Sequence, residues 1–429
     1  MLSVSLGIYI SVPFCPTKCS YCNFASDVFS RSVFARYVDR VCADIENASR
    51  VAEEMGGLIE RPVDSIYLGG GTPTVLDASQ LERIFATARA QFDILPEAEV
   101  TVECAPGTLS DSMLNCLLRC GVNRVSLGVQ SFVDQEAAAV GRRHNRATVL
   151  EEITRLRAAG ITNINIDLIA GLPHQTAESW EFSLAETIAT GVPHVSVYML
   201  EVDEESRLGR ELLAGGPRYH AHFVPDQDAM ADFYLSACER LSAAGIAQYE
   251  ISNFAREGFE SRHNLKYWTR QPYLGFGVDA HSMLLVNREG HDFRTPKNGE
   301  GHGFSRADHT VVNEPGFSPC GPEAVRIATS DSLETYMNTA PLQRTAVSHQ
   351  SALEESFFLG LRLTRGVNLH ELSTRFGEPA IAPARATISE LTAAGLVERY
   401  GDTVRLTSRG RLLSNEVFER FILAEEIVR

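Results

Sequence analysis

The sequence predicts an α/β fold: a partial (β/α)6 TIM-like barrel followed by a C-terminal winged-helix-like domain. Three observations predict it. Between residues 7 and 200, short apolar runs alternate with amphipathic stretches of helical period. That is the pattern of parallel strands joined by right-handed helical crossovers. Within the strand runs, polar and apolar residues alternate, so one face carries chemistry and the other a core. Near the C-terminus, helical stretches are followed by a hairpin signal, the order of a winged helix.

Taken in order, the first strand is 7–12, ended by Pro13. Phe34, Tyr37, Val38, Val41 and Ile45 recur at three- and four-residue steps and predict helix within 30–55. Pro62 precedes a strand at 63–68, which runs into Gly69-Gly70-Gly71-Thr72-Pro73-Thr74. Helices are then expected at 79–91, 110–120, 147–159 and 176–190, alternating with strands at 98–103, 123–130, 162–168 and 194–200.

Strand parity sharpens the picture. One face holds Tyr9, Ser11, Thr101, Glu103, Ser126, Gly128, Gln130, Asn165, Asp167, Ser196 and Tyr198. The other holds Ile8, Ile10, Val12, Val100, Val102, Val125, Leu127, Val129, Ile164, Ile166, Val195 and Val197. The apolar face must lie under the helices, so the polar face points into the barrel. A closed eight-stranded barrel fills its interior with branched apolar residues. An interior lined by Glu, Gln, Asp and Tyr is suited to a polar ligand, because such groups are costly to bury without partners.

Between the first strand and the first helix lies Cys15-Pro16-Thr17-Lys18-Cys19-Ser20-Tyr21-Cys22. Thiolates at this density suit iron–sulfur clusters or zinc. A structural zinc takes four protein ligands, and only three are present here. A cubane cluster held by three cysteines leaves one iron open to a substrate. Buried structural thiols have no reason to crowd into one proline-flanked loop.

The Cys-x3-Cys-x2-Cys loop, entered through Tyr9-Ile10-Ser11-Val12-Pro13-Phe14, resembles that of radical S-adenosylmethionine (SAM) proteins. In particular it resembles the oxygen-independent coproporphyrinogen III oxidase family and its HemW-type heme chaperone branch. The resemblance covers most of 5–285 and, more loosely, 350–425. It implies a 4Fe-4S cluster held by Cys15, Cys19 and Cys22. It implies SAM contacts from Tyr9, Tyr21, Gly70, Gly71, Thr72, Glu103, Gln130, Arg142 and Asp167. Glycines let backbone approach the methionine amino group; carboxylates and amides suit the ribose hydroxyls and the ammonium; Arg142 can fork onto the methionine carboxylate. Taken alone, Gly69-Gly70-Gly71 suits a phosphate or a simple turn equally well, and Arg142 suits a solvated basic turn. In the implied chemistry a reduced cluster gives one electron to the sulfonium, releasing methionine and a 5′-deoxyadenosyl radical. The protein's part is positioning and exclusion of water.

Past residue 200 the barrel pattern stops. Residues 205–223 read as a polar excursion, followed by a helix at 226–244. His263-Asn264-Leu265-Lys266-Tyr267-Trp268 resembles a string of the heme chaperone branch implicated in heme binding. An imidazole beside flat rings suits a porphyrin and its iron; it suits an aromatic turn under the barrel equally well. The resemblance makes His263 the candidate heme ligand.

Three regions are therefore expected: a barrel with its extension over 1–285, an irregular linker over 286–349 and a winged-helix-like domain over 350–429. The linker region is rich in Gly, Pro, Asn and His, and its His291, His302 and His309 have no metal-ligand spacing. In the last region helices are expected at 353–363, 368–376 and 383–394, then a hairpin around Gly401-Asp402 and a helix from about Ser408. From 350 to 429 there are ten Arg, no Lys and eleven acidic residues, a net of −1. That balance argues against DNA binding by this domain.

The bulk numbers agree. The 429 residues suit one large and one small domain, and a net charge of −16 disfavours nucleic acid as a partner. No basic stretch leads an apolar core at the N-terminus, and no run reaches about 18 apolar residues. Nine cysteines, an odd number, fit a reducing cytoplasmic setting. Cys116 and Cys120, four apart in an expected helix, fit small core residues better than ligands.

Within the family, the oxidases carry a further cysteine two residues after the third cluster ligand, where this chain has Phe24, and a longer arm before the cluster. Those features accompany their second SAM and substrate site. The expected function is therefore a chaperone that binds a 4Fe-4S cluster, SAM and heme and delivers heme to apo-hemoproteins such as respiratory cytochromes. A flavodoxin- or ferredoxin-like electron donor and peripheral membrane contact go with it. The alternative is the oxidase (dehydrogenase) reaction of porphyrin biosynthesis, converting propionates to vinyls; Phe24 argues against it.

Overall fold

The structure, a computed structural model, describes residues 5–286, 322–338 and 341–422. Six parallel strands form in chain order: β1 (Leu6–Val12), β2 (Pro62–Gly70), β3 (Asp93–Cys104), β4 (Arg124–Gln130), β5 (Asn163–Ala170) and β6 (His194–Met199). They pair consecutively, β1 to β6. Helices Phe34–Glu46, Ala78–Gln91, Asp111–Arg119, Arg146–Ala158 and Ala177–Thr190 cross between them. Side-chain caps at Ser110, Asn145 and Thr176 fix three of the helix starts. The apolar strand face is the core: Ile8, Ile10, Val102, Val125, Leu127, Ile164, Ile166 and Val195 are fully buried. Cys116 and Cys120 are buried in that core.

The sheet is wider than the sequence pattern indicates. Four more strands extend it beyond β1: β9 (Tyr273–Phe276), β10 (His281–Leu285), β11 (Ala324–Ala328) and β12 (Gln343–Val347). β9 runs parallel to β1, and β10 to β12 are antiparallel. Beyond β6 lie β8 (Asn253–Ala255) and β7 (Ala247–Gln248). The polar excursion also contains a helix, Arg207–Ala214, capped by Ser206.

The expected irregular linker over 286–349 is thus corrected for its second half. Residues 322–338 and 341–347 contribute two paired strands and the helix Leu333–Met337. Their ladder hydrogen bonds order them without a strong apolar alternation; four of the five residues in β12 are exposed. His291, His302 and His309 lie outside the described residues.

The C-terminal domain comprises helices His349–Arg362, Leu369–Phe376 and Glu378–Ala393, with strands β13 (Val367–Asn368), β14 (Val397–Tyr400) and β15 (Thr403–Leu406). The β14–β15 hairpin is the wing. Two short helices, Ser408–Leu412 and Ser414–Glu419, follow it. This domain does not stand apart. Its core residues Phe357 and Leu361 belong to one cluster with Ile251, Tyr273 and Met283 of the barrel extension. Glu355 clamps the junction, with Arg270 Nε at 2.8 Å and Arg326 Nη2 at 2.9 Å.

Candidate functional site

The site is built on the C-terminal ends of the barrel strands, where the backbone leaves the sheet. The cysteine loop is pinned there by main-chain hydrogen bonds. Cys15 N donates to Asp27 O at 3.0 Å, Ser20 N to Val140 O at 3.2 Å, and Leu208 N to Ser20 O at 2.8 Å. Lys18 Nζ closes the loop by donating to Phe24 O at 2.8 Å and Ser26 O at 2.5 Å. The glycine loop after β2 locks onto the same entrance: Gly71 N donates to Val12 O at 2.9 Å and Thr72 N to Phe14 O at 2.8 Å.

That closeness explains the glycines. A Cβ on Gly71 would stand 2.6 Å from Phe14 O and 2.7 Å from Val12 O. Gly70 has φ +97°, a left-handed conformation that favours glycine, and a Cβ there would meet Ser11 Oγ at 2.7 Å.

The strand ends enclose a cavity of about 880 Å³, within the roughly 300–1,000 Å³ of small-molecule sites. Cys15, Cys19, Cys22, Tyr21, Gly70, Gly71, Thr72, Glu103, Gln130, Arg142 and Asp167 all line it. Tyr9 does not line it; its hydroxyl sits beneath Gly70, 3.5 Å from where a Cβ would be. Gln130 holds φ +70°, unusual outside glycine, at a register shift between β4 and β5.

The polar interior is a connected network. Tyr67 OH donates to Glu103 Oε1 at 2.8 Å. Asn165 Nδ2 donates to Asp167 Oδ1 at 2.7 Å, and Ser126 Oγ to Asp167 Oδ2 at 3.1 Å. Burial raises the Glu103 carboxyl to about 7, partly opposed by the Tyr67 hydrogen bond. Burial raises Asp167 as well. Arg142 Nη2 donates to Tyr21 OH at 3.3 Å, while its buried Nε has no partner. Sequence parity missed Tyr67, although Ser65-Tyr67-Gly69 alternates as clearly as the other strands.

His263 lies elsewhere, in the helix Arg262–Trp268 below the polar interior. Its Nδ1 is hydrogen-bonded to Ser65 Oγ at 3.0 Å and its Nε2 to Tyr267 OH at 2.8 Å. The ring is 1% exposed and does not line the cavity. Burial, with Lys266 and Arg124 nearby, lowers it to about 3. As it stands both ring nitrogens are occupied; ligation of a heme iron by His263 would require freeing one of them, Nδ1 from Ser65 or Nε2 from Tyr267, and opening the packing around the buried ring.

The cavity residues fit the cofactors that the loop suggests. Cys15, Cys19 and Cys22 are free and partly exposed, unlike the buried Cys42, Cys104, Cys116 and Cys120. Burial raises the Cys15 thiol, a cost that metal ligation would offset. Among the described residues no three His, Cys, Asp or Glu side chains converge on a single ion. Thiolates that each hold a different iron of a cubane need no such convergence. The unpartnered Arg142 Nε and the glycine cradle leave room for a zwitterionic ligand beside them.

A strand-ordered barrel with three free cysteines at its mouth and a polar lumen defines the radical SAM class. Residues 9–186 match the Radical SAM superfamily, and residues 347–413 match the HemN C-terminal domain. The chain is 31% identical to the heme chaperone HemW of Lactococcus lactis, over 99% of both chains. It is 30% identical to HemW of Escherichia coli, covering 97% of this chain and 98% of that one. The chain belongs to the HemW family. Its fold matches Escherichia coli coproporphyrinogen III oxidase (HemN), described as a radical SAM enzyme, with TM-score 0.77 over 98% of this chain and 90% of that one, at 20% identity. Membership of the superfamily implies a 4Fe-4S cluster and SAM.

Proposed function

We propose that this protein is a heme chaperone: it holds a 4Fe-4S cluster and SAM in the barrel mouth, binds heme, and passes it to apo-hemoproteins. The observation that carries this reading is the full-length likeness to proteins named heme chaperone HemW. Phe24 supports it, standing where the oxidases have a further cysteine and lying 65% exposed at the cavity rim.

In this reading Cys15, Cys19 and Cys22 ligate the cluster. When bound, cluster and SAM together supply one-electron chemistry. The chain's own residues bind and orient. Gly70 and Gly71 let main chain approach the methionine end, and Arg142, with Tyr21 behind it, takes the carboxylate. Glu103, Gln130 and Asp167 face the ammonium and the ribose, Thr72 borders the cluster loop, and Tyr9 supports Gly70 from below. A flavodoxin- or ferredoxin-like donor would reduce the cluster, and respiratory cytochromes in a cytoplasmic or membrane-adjacent setting would accept heme. Among the described residues no helix is long and apolar enough to cross a membrane; peripheral membrane contact is part of the proposed reading.

The test is heme titration of the anaerobically reconstituted chain beside a coproporphyrinogen turnover assay. Stoichiometric heme binding with transfer to an apo-cytochrome, and no vinyl product, is expected. Absence of heme binding, or turnover to vinyl product with 5′-deoxyadenosine, overturns the reading.

A further inference from the structure

The cavity has a second wall that the cofactor reading does not use. Arg362, Arg411, Leu412, Ser414 and Asn415 of the C-terminal domain line it together with the cysteine loop. Arg362 ends the helix His349–Arg362, and Arg411 sits in the short helix Ser408–Leu412 after the wing.

Both guanidinium groups are under-used. Arg362 Nε is buried without a partner, and its Nη2 lies 3.5 Å from Glu250 Oε2, itself buried and without a hydrogen bond. The group is held flat by Trp268, whose ring centroid is 4.2 Å away. Arg411 has only neutral described partners, Leu406 O at 3.3 Å and Ser408 Oγ at 3.0 Å, and its buried Nε has none. A guanidinium presents five donors in a fixed fork that matches a carboxylate. Arg362 shares its charge with Glu250, while Arg411 faces no described carboxylate, so this wall offers one cation with free donors beside a second that is partly compensated. They come from the C-terminal domain, whereas Arg142 comes from the barrel, and all three line the same cavity. Ile251 and Leu412 in the same lining supply apolar surface for a flat ring.

We propose that Arg362 and Arg411 form a carboxylate subsite that receives the propionates of a tetrapyrrole whose ring lies in the cavity. This rests on the reading that the cavity takes a tetrapyrrole. It also gives the His263–Trp268 string a role through position: Tyr267 closes on His263, and Trp268 backs Arg362.

The experiment uses the full-length, cluster-loaded chain and four probes: heme, heme dimethyl ester, protoporphyrin IX and its dimethyl ester. Each is titrated by absorbance or fluorescence. The free acids are expected to bind at least about tenfold more tightly than the esters, a preference that weakens in high salt. In Arg362→Gln/Arg411→Gln the acids should fall to the level of the esters. The ester comparison is made on the unaltered chain, so it stands even if the variant folds poorly. Glu250→Gln/Arg362→Gln provides a variant without a stranded carboxylate, and it too should lose acid preference. Equal binding of acids and esters by the unaltered chain overturns the subsite while leaving heme binding intact. Acid-selective binding of protoporphyrin without binding of heme keeps the subsite and overturns the chaperone reading. Binding of none of the four overturns both.

Discussion

At the scale of single residues, Glu103 is the most informative group in the lumen. Its carboxyl is raised from 4.5 to about 7, chiefly by burial. A raised acid is protonated more readily in the folded chain, so its contribution to stability is complete below about 4.5. It is lost as pH rises through about 7. Ligand-free protein should therefore lose up to ~3 kcal/mol between pH 5 and 8, seen as a falling melting temperature, and Glu103→Gln should flatten that profile. A cationic ligand ammonium beside the ionised carboxylate removes the penalty, so SAM affinity should rise over the same window. A pH-independent melt and SAM affinity would show that Glu103 does not face the ligand. Glu103 was legible from parity alone, because a carboxylate on the polar face of a barrel strand stands out. Tyr67, its hydrogen-bond partner, was overlooked although the same alternation marks it. His263 illustrates the limit: its placement depends on Ser65, 198 residues away in the chain, and no local pattern encodes that contact.

At the scale of elements, the glycine loop and the cysteine loop act as one piece. Gly71→Ala would drive a Cβ into Phe14 O and Val12 O, and the backbone next to Cys15 would have to move. The expected cost is ~1–3 kcal/mol, with reduced cluster loading read from the visible absorbance of the reconstituted protein. Full loading in Gly71→Ala would show that the two loops are not coupled. The six parallel strands were legible because each is a strongly alternating run between helices of clear period. β11 and β12 were not: the first follows the Gly- and Pro-rich stretch, and four residues of the second are exposed. Hydrogen bonding to a sheet edge orders such strands without a hydrophobic pattern to announce them. The helix Arg207–Ala214 was missed because it is only 8 residues long and lies inside a polar stretch, too short to stand out from its surroundings.

For the whole molecule, the C-terminal domain completes the cavity. Its charge balance argues against a DNA-binding surface, but its contribution of Arg362 and Arg411 to a site more than 300 residues from the cysteine loop arises only on folding. Glu355 holds the domain in place against Arg270 and Arg326. Glu355→Ala strands two cations at a largely buried junction and should cost ~3 kcal/mol or more. It should also split thermal unfolding into two transitions as the domain loosens, and a single unshifted transition would contradict a clamp at this position. The proposed function depends on three thiolates holding a cubane at the mouth of a polar barrel, with one iron left for SAM. Electron paramagnetic resonance of the reduced, reconstituted chain tests that most directly. A 4Fe-4S signal that shifts on adding SAM, and that disappears in the Cys15→Ala/Cys19→Ala/Cys22→Ala variant, is the predicted result. A signal indifferent to SAM, or one that survives removal of all three cysteines, would contradict it.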